Sequence, residues 1–343
     1  MTKEQINNLV SKGTFPETSG RRELVETHIS WVVMGHEFVY KIKKPVQYSF
    51  LDFSTLDLRK YFCDREIELN KRLTENLYLD VLPVREYRGR LLMGGKEGTI
   101  IDYAVKMHKV DREKQMDHLL MKNKVSETQI KILAEKIAFF HKHTDIIYEK
   151  DLLDIGEKFK DLEAEKEYLA KQLGGKFSDI ISQAIEVSNS FIEDNKELLA
   201  SRLAAGFTRD CHGDLHSRNI FLLPDPLPFD CIEFNDDFRQ IDVLNEVAFL
   251  CMDLDAFGRE DLSSLFIDYY NHFFEAMTTS EDRSLFIYYK SYRANIRAKV
   301  NSLRAKTATA NADKTTALAL AEKYLGLMNS YLKSPQLLHY HNL

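Results

Sequence analysis

The stretch "CHGDLHSRN", residues 211–219, decides how this chain is to be interpreted. It places two histidines, an aspartate, an arginine and an asparagine within nine positions, between the segments "AGFTRD" and "IFLL". A soluble globular fold does not by itself require such a density of short polar and imidazole side chains. Because loops held by a rigid scaffold commonly carry binding and catalytic groups, the stretch indicates a functional loop.

The residues downstream of this loop suggest its chemistry. The turn "PDPLP" at 224–228 separates "IFLL" from "FDCIEF" at 229–234, which predicts a strand, a tight return and a second strand. Asp214 and Asn219 have the spacing D-x-x-x-x-N, and Asp230 follows eleven residues later. In phosphoryl transfer an Asp accepts the substrate hydroxyl proton, and oxygen ligands hold the Mg²⁺ that neutralises ATP. The pattern therefore predicts a phosphotransferase site.

At this point the sequence resembles a known family. "HGDLHSRN" is similar to the HGDxHxxN loop of aminoglycoside phosphotransferases and choline-kinase-type small-molecule kinases, and "FDCIEFNDDFRQIDVLNEVAFL" is similar to the segment that follows it. "VYKIKKPV" and "FLDFSTLDLRKYFCDREIELNKRL" resemble segments of bacterial kinase-like modules that are sometimes fused to a P-loop ATPase domain. The resemblance covers roughly residues 20–260.

The resemblance implies a protein-kinase-like fold, ATP and Mg²⁺ as cofactors, and a role for each matching residue. Asp214 would be the catalytic base, and Asn219 and Asp230 would be the Mg²⁺ ligands. Lys41, on the strand "FVYKI", would contact the α- and β-phosphates of ATP. Glu66, on the following helix, would pair with that lysine.

Further positions take roles from the same resemblance. Met107 and His108 fall where the hinge that contacts adenine is expected. No G-x-G-x-x-G loop covers the phosphates; residues 27–30, ending at Ser30, occupy that place and would serve through backbone and hydroxyl donors. Asp242 would be structural and would bond back to the catalytic loop.

Two choices stay open at the level of sequence. Lys43 projects from the same strand face as Lys41, since side chains two residues apart in a strand point the same way. The family pattern selects Lys41, so replacement of Lys43 is expected to cost little ATP affinity. On the helix, Glu66 and Glu68 in "DREIE" are both candidates for the partner of the lysine.

The distribution of predicted elements gives an α+β architecture. The first hundred residues contain strands separated by turns and one helix, whereas the segment after Met107 is mainly helical. We expect a two-lobed fold with a small β-rich, nucleotide-binding N-lobe at 1–107. A larger, mostly helical C-lobe at 108–343 would carry catalysis and the substrate, with a connector at about 107–125.

Local signals mark particular elements of these lobes. Arg88-Gly89 between two apolar runs predicts a β-hairpin turn. Ser126 and Gln129 have the spacing of a capping box, which predicts the start of a helix at that point.

Composition restricts the class of protein. The 343 residues are 44% hydrophobic with a net charge of −6, which argues against a nucleic-acid-binding protein. No run of 18 apolar residues and no N-terminal signal segment occur, so no membrane association is expected. The four cysteines form no CxxC pair, as is typical of buried thiols in the cytoplasm. No feature of the sequence predicts the oligomeric state.

The predicted substrate is a hydroxyl group of a small molecule. A cationic amino compound is one candidate class, because acidic residues follow the catalytic segment: Asp236, Asp237, Asp253, Asp255 and Glu260. Two alternatives remain, namely an ATP-binding pseudokinase or regulatory module without turnover, and a kinase for a macromolecule. The first is disfavoured because the base and both metal ligands are present. The second is disfavoured because no APE segment follows Asp230.

Overall fold

The computed structural model describes residues 1–16 and 21–337 of the chain. Up to residue 108 the elements are α1 (Lys3–Lys12), β1 (Glu23–Glu26), β2 (Ser30–Met34), β3 (Phe38–Lys43), β4 (Gln47–Tyr48), β5 (Leu51–Asp52), α2 (Leu56–Lys71), β6 (Tyr78–Tyr87), β7 (Arg90–Met93) and β8 (Thr99–His108). The following elements up to residue 210 are α3 (Met116–Met121), α4 (Glu127–His143), α5 (Asp154–Lys160), α6 (Lys166–Leu173), α7 (Lys176–Asp194), α8 (Lys196–Ala204) and β9 (Thr208–Asp210). The remaining elements are β10 (Ile220–Phe221), β11 (Leu227–Pro228), α9 (Asp236–Arg239), β12 (Gln240–Asp242), α10 (Val243–Ala256), α11 (Glu260–Phe273), α12 (Ser280–Thr307) and α13 (Asn311–Leu332).

The chain divides into two compact units. The first comprises Met1–Leu119 and Arg218–Arg239, and the second comprises Leu120–Ser217 and Gln240–Leu343. The sequence-based division at residue 107 differs in two respects, because the segments 108–119 and 218–239 both group with the first unit. Strands β10 and β11 and the turn after them contact elements of that unit, as described below. The nucleotide-binding and catalytic roles of the two lobes remain predictions.

The first unit contains a six-stranded sheet in the order β1-β2-β3-β8-β6-β7, with antiparallel neighbours throughout. Strand β3 lies inside this sheet, and its side chains alternate between the two faces. Tyr40 and Ile42 are fully buried in the apolar core that includes Ile6 and Leu9 of α1. Lys41 and Lys43 therefore point to the opposite face, where helix α2 packs.

Both local signals in the sequence are confirmed. At the β6–β7 turn, Arg88 and Gly89 have φ values of 48° and 73°, the left-handed conformation that a tight hairpin turn requires. The hydroxyl of Ser126 accepts a hydrogen bond from the backbone N–H of Gln129. The side chain of Gln129 in turn accepts one from the backbone N–H of Ser126, so the capping box of α4 is complete.

The predicted strand at 229–234 is wrong. Strand β10 pairs with only Leu227–Pro228, and the residues after Pro228 leave the ladder. Asp230 has a φ of 63°, a left-handed conformation that extended strands do not contain. The second unit is built of helices around α10, whose residues are all buried. Over residues 1–16 and 21–337, no helix combines the length and apolarity that a membrane crossing needs.

Candidate active site

Lys41 joins two carboxylates on the α2 face of the sheet. Its Nζ lies 2.9 Å from Glu66 Oε1 and 2.6 Å from Asp230 Oδ1. The Glu66 side chain is fully buried, whereas the Asp230 side chain is 43% exposed. The structure thus brings together three residues that the sequence singled out, with one acid anchoring the lysine from inside and another open to a ligand.

Lys43 occupies a different environment, although it projects from the same strand face. Its side chain is fully buried, with Nζ 2.7 Å from Glu66 Oε2 and in contact with Glu233 Oε1. Both lysines therefore share Glu66, but only Lys41 contacts the exposed acid. Glu68 takes no part, since its side chain is 67% exposed and pairs with Arg65 at 2.9 Å. The geometry favours Lys41 and Glu66 over the alternatives.

The charged groups in this network shift one another's pKa values. Burial lowers the pKa of Lys41, but Asp230 and Glu66 raise it well above its ordinary value. Burial raises the pKa of Glu66, and attraction to both lysines more than offsets this and lowers that pKa to about 2. Burial raises the pKa of Glu233, and repulsion from Glu66 keeps it above its ordinary value despite Lys43. The lysines and Glu66 are accordingly charged at neutral pH.

The turn that carries Asp230 is fixed by hydrogen bonds to its backbone. The N–H of Asp230 donates to the Tyr78 hydroxyl at 3.0 Å, and the N–H of Cys231 donates to Asn70 Oδ1 at 2.9 Å. Tyr78 starts β6 and Asn70 lies in the last turn of α2. These bonds offset the cost of a left-handed backbone at a non-glycine residue, so the Asp230 side chain is held at a defined place beside Lys41.

Asn219 lies next to this turn through the β10–β11 hairpin. Ile220 pairs with Pro228, and the N–H of Phe229 donates to the Asn219 carbonyl at 2.8 Å. Asn219 and Asp230 consequently stand at the same end of the hairpin. An amide oxygen and a carboxylate are hard oxygen donors of the kind that Mg²⁺ prefers.

The loop that carries Asp214 belongs to the second unit and is anchored by Glu246 of α10. Glu246 Oε2 accepts from the N–H of His212 at 2.5 Å and from the N–H of Gly213 at 3.0 Å. Gly213 has a φ of 88°, which favours glycine over residues with a side chain. Arg293 of α12 adds a bond from Nη1 to the Gly213 carbonyl at 3.3 Å. The backbone before Asp214 is therefore held from two helices.

Side chains on either side of Asp214 complete the loop. His216 Nε2 lies 3.4 Å from Asp214 Oδ2, and the N–H of Asp214 donates to His212 Nδ1 at 3.2 Å. Ser217 donates from N and Oγ to Asp253 Oδ2, at 2.9 and 2.5 Å. The Asp214 side chain stays 37% exposed, so its carboxylate is oriented by the loop and open to a ligand.

The electrostatic surroundings keep Asp214 ionised. Burial raises the pKa of this carboxyl, but attraction to and hydrogen bonding with His216, and attraction to Arg297, more than offset that effect. The pKa of Asp214 is held well below its usual range. A base that accepts a proton must begin deprotonated, and Asp214 meets that condition at neutral pH.

The remaining candidates lie on the sheet of the first unit. Met107 and His108 end β8, opposite Val39 and Phe38 of β3, and the His108 ring is 5.4 Å from the Phe38 ring. Ser30 starts β2 and is buried, and its carbonyl accepts from the N–H of Thr27 at 2.9 Å. The roles of Met107, His108 and Ser30 at a nucleotide remain predictions.

Sequence reasoning missed several supporting residues. Asp242 does not bond to the catalytic loop as expected. Its side chain caps α10 by accepting a hydrogen bond from the N–H of Leu244. It also forms a bidentate ion pair with Arg202, whose Nε and Nη2 lie 2.6 and 2.9 Å from the two carboxylate oxygens. Glu246, one helical turn later, holds the loop instead. The sequence signal for Glu246 is a carboxylate inside a mainly apolar stretch, "VLNEVAFL".

One further cluster has donor atoms of the metal-binding kind. His141, Cys211 and Glu246 are buried, with ligand atoms within 4.8 Å of one another. The Glu246 carboxylate is already engaged with two backbone N–H groups, and His141 Nδ1 is 2.8 Å from the Tyr270 hydroxyl. These engaged groups indicate a packed support for the loop that carries Asp214.

Replacing Lys41 with Met should weaken ATP binding about tenfold to a hundredfold. A charge-assisted hydrogen bond to a phosphate in a partly desolvated site contributes on the order of 1.5–3 kcal/mol. A nucleotide titration of the folded variant measures the effect, with the exposed Lys96→Met as the matched control. An unchanged dissociation constant in Lys41→Met would remove this lysine from the site.

Comparison with known proteins finds sequence relatives of uncharacterised function. No family model matches the chain. Proteins of uncharacterised function from Mycobacterium tuberculosis and Mycobacterium bovis are 29% identical to it over 309 residues, covering 88% of this chain and 59% of theirs. The chain therefore spans less than two thirds of the length of these curated relatives.

Solved structures give the fold. A choline/ethanolamine kinase family protein from Mesorhizobium loti matches with a TM-score of 0.54 at 10% identity, covering 94% of this chain and 92% of its own. Choline kinase from Cryptosporidium parvum matches with a TM-score of 0.49 at 10% identity, over 91% and 88% of the two chains. The first likeness confirms the predicted α+β, protein-kinase-like two-lobed fold and, at the level of fold, the resemblance to choline-kinase-type proteins.

Proposed function

We propose that this chain is an ATP-dependent phosphotransferase that moves the γ-phosphate to a hydroxyl group of a small molecule. The observation that carries the proposal is the Lys41 bridge between buried Glu66 and exposed Asp230. A lysine held in place from inside by one acid, beside a second acid open to a ligand, suits the binding of a phosphate and its metal ion.

Residues at the end of the β10–β11 hairpin supply the donors for the metal. Asn219 and Asp230 would hold Mg²⁺, with the Asp230 carboxylate contributing charge and the Asn219 amide a neutral oxygen. When bound, Mg²⁺ would neutralise negative charge on the ATP phosphates. Lys41 would contact the α- and β-phosphates, and Glu66 would keep its ammonium group oriented toward them.

Asp214 would orient the acceptor hydroxyl and take its proton. It precedes Asn219 by five residues in the chain, and its carboxylate is exposed, ionised and steadied by His216. Glu246 and Arg293 would act as positioning residues, because they touch the loop backbone and not the reacting atoms. Catalysis would consist mainly of positioning and charge neutralisation.

The names of the fold neighbours agree with this proposal, since they describe kinases or kinase-family proteins for choline and ethanolamine. We propose in addition that the protein acts in the cytoplasm, in line with the sequence composition. An ATP-binding module without turnover is the alternative, and it differs in one measurable property, the transfer of phosphate itself.

Millimolar Mg-ATP should raise the melting temperature of the protein. A ligand that binds only the folded state adds roughly 2.7 kcal/mol at a hundredfold excess over its dissociation constant. Asp230→Ala should remove most of the Mg²⁺-dependent part of this stabilisation, whereas the exposed control Asp313→Ala should retain it. If the unmodified protein shows no shift with Mg-ATP, the proposed function is wrong.

A further inference from the structure

Helix α12 turns one face toward the catalytic loop of the second unit. Arg293 donates from Nη1 to the Gly213 carbonyl at 3.3 Å and from Nε to Asn245 Oδ1 at 2.7 Å. Arg297 follows four residues later, and residues at i and i+4 lie on the same helix face. The helix thus presents a second guanidinium to the region of Asp214, one turn beyond the arginine that supports the loop.

Contacts of Arg297 connect it to this loop. Its guanidinium carbon lies 5.5 Å from the centroid of the Tyr324 ring. The Tyr324 hydroxyl donates to Asp253 Oδ1 at 3.3 Å, and Asp253 Oδ2 accepts from Ser217. The arginine therefore belongs to the same side-chain cluster as the residues that shape the loop around Asp214.

The Nε donor of Arg297 has no hydrogen-bond partner among the described residues. Burial lowers the pKa of its guanidinium, but attraction to Tyr324, Asp253 and Asp214 more than offsets this and raises that pKa. The Nε atom is buried, and within residues 1–16 and 21–337 no carboxylate lies within the 4.0 Å of an ion pair. An arginine is always charged and carries five N–H donors. A buried donor without a partner is unfavourable, so the folded protein retains this group at a cost that a bound anion would relieve.

Of the five acids that the sequence offered to a cationic substrate, Asp253 and Asp255 already have partners within the protein. Asp253 accepts from Ser217 and Tyr324, as described above. Asp255 accepts from the Tyr331 hydroxyl at 2.5 Å and pairs with Lys290. Both acids are buried. The charge of Arg297 also contributes to the lowered pKa of Asp214, which places it within electrostatic reach of the base.

We propose that Arg297 determines acceptor specificity by binding an anionic oxygen of the acceptor, which is an alcohol bearing a phosphate or carboxylate group. A guanidinium binds such groups through two parallel hydrogen bonds. The inference rests on the proposed phosphotransferase function and narrows its substrate class. It differs from the sequence-based suggestion of a cationic amino compound, which stays a prediction.

The transfer itself follows from the proposed function. The acceptor oxygen forms a bond to the γ-phosphorus of ATP, and the bond from that phosphorus to the bridging oxygen of ADP breaks. The hydroxyl proton passes to Asp214. Arg297 takes no proton and forms no bond; it holds the anionic group so that the hydroxyl faces Asp214. A guanidinium could also bind the γ-phosphate of ATP. The experiment therefore distinguishes an anionic group of the acceptor from the γ-phosphate.

The experiment measures anion binding by thermal shift and calorimetry. The probes are glycerol 3-phosphate, glycerol and inorganic phosphate, each at tens of millimolar, with and without Mg-ADP. The variants are Arg297→Gln and Arg297→Lys, and the matched control is Arg283→Gln, an exposed arginine in the first turn of the same helix. The Mg-ATP shift of each variant checks its folding and its nucleotide site.

We expect glycerol 3-phosphate, but not glycerol, to stabilise the protein with and without Mg-ADP. Arg297→Gln should weaken this binding at least about tenfold, whereas Arg283→Gln should leave it unchanged and Arg297→Lys should retain part of it. Stabilisation by inorganic phosphate only in the presence of Mg-ADP would assign Arg297 to the transferred phosphate and overturn the proposal. Equal anion affinity in the unmodified protein and Arg297→Gln, or no anion binding alongside a normal Mg-ATP shift, would also overturn it while leaving the proposed function intact.

Discussion

Replacing Asp214 with Asn should lower the rate of phosphoryl transfer about 10²–10⁴-fold, the usual contribution of a positioned general base. The substitution keeps the size of the side chain and removes the charge and the proton-accepting oxygen. Nucleotide affinity should stay nearly constant, because the base touches the acceptor hydroxyl and not the phosphates in the ground state. Transfer of phosphate from labelled ATP and a parallel ATP titration measure the two quantities.

The control for this variant is Asp179→Asn, on the exposed face of α7. Because the pKa of Asp214 is held well below its usual range, the carboxylate stays ionised at mildly acidic pH. The rate should therefore show no loss from protonation of this base above about pH 5, since even an ordinary Asp titrates near ~3.9. Equal losses of ATP affinity and transfer in Asp214→Asn would show that this residue serves the nucleotide instead.

Replacing Lys43 with Met should destabilise the protein by about 3–5 kcal/mol, the usual cost of breaking a buried ion pair on one side. The side chain is fully buried between Glu66 and Glu233, so its removal leaves Glu233 without a partner for its charge. The sequence-based expectation for Lys43 concerns ATP affinity alone, and this loss of folding stability is a separate effect. Urea unfolding of the variant measures the loss.

The adjacent Lys44→Met is the matched control, because Lys44 pairs with the half-exposed Glu26 and should cost about 1 kcal/mol or less. The pH dependence gives a second readout. In Lys43→Met the unpaired, buried Glu233 has a folded-state pKa raised above its unfolded value. Because the pKa of Glu233 is higher in the folded state than in the unfolded state, protonation of Glu233 favours the folded state. The stability lost in Lys43→Met should therefore shrink as the pH falls toward about 5. Surface substitutions usually change the free energy of unfolding by about 0.5 kcal/mol or less. A change that small in Lys43→Met would contradict the role given to Lys43.

Some features of this protein follow from short stretches of sequence because their physics is local. The Arg88-Gly89 turn and the Ser126 capping box depend on residues within four positions, and both are confirmed. The order of Asp214, Asn219 and Asp230 predicts a phosphotransferase loop for a similar reason, since their spacing along a tight return limits where they can lie. The kinase-like fold follows from the motif and its resemblance, and the solved structure from Mesorhizobium loti confirms it.

The sequence could not choose between Lys41 and Lys43. A strand repeats every two residues, so both side chains share a face and the pattern treats them alike. Their environments differ only because Asp230 and Glu233, about 190 positions away, reach one lysine each. Contacts over such distances depend on how α2, the sheet and the turn after β11 pack together.

The same limit applies to the residues that support the loop carrying Asp214. Glu246 and Arg293 lie on helices whose sequences do not indicate the partners of these two side chains. Their positions relative to Asp214 are set by the packing of α10 and α12 in the second unit. Residue types and spacing therefore determine the kind of chemistry that this chain is equipped for. Tertiary packing decides which lysine meets the exposed acid and which charge stands beside the base, because burial and long-range pairing are properties of the folded chain alone.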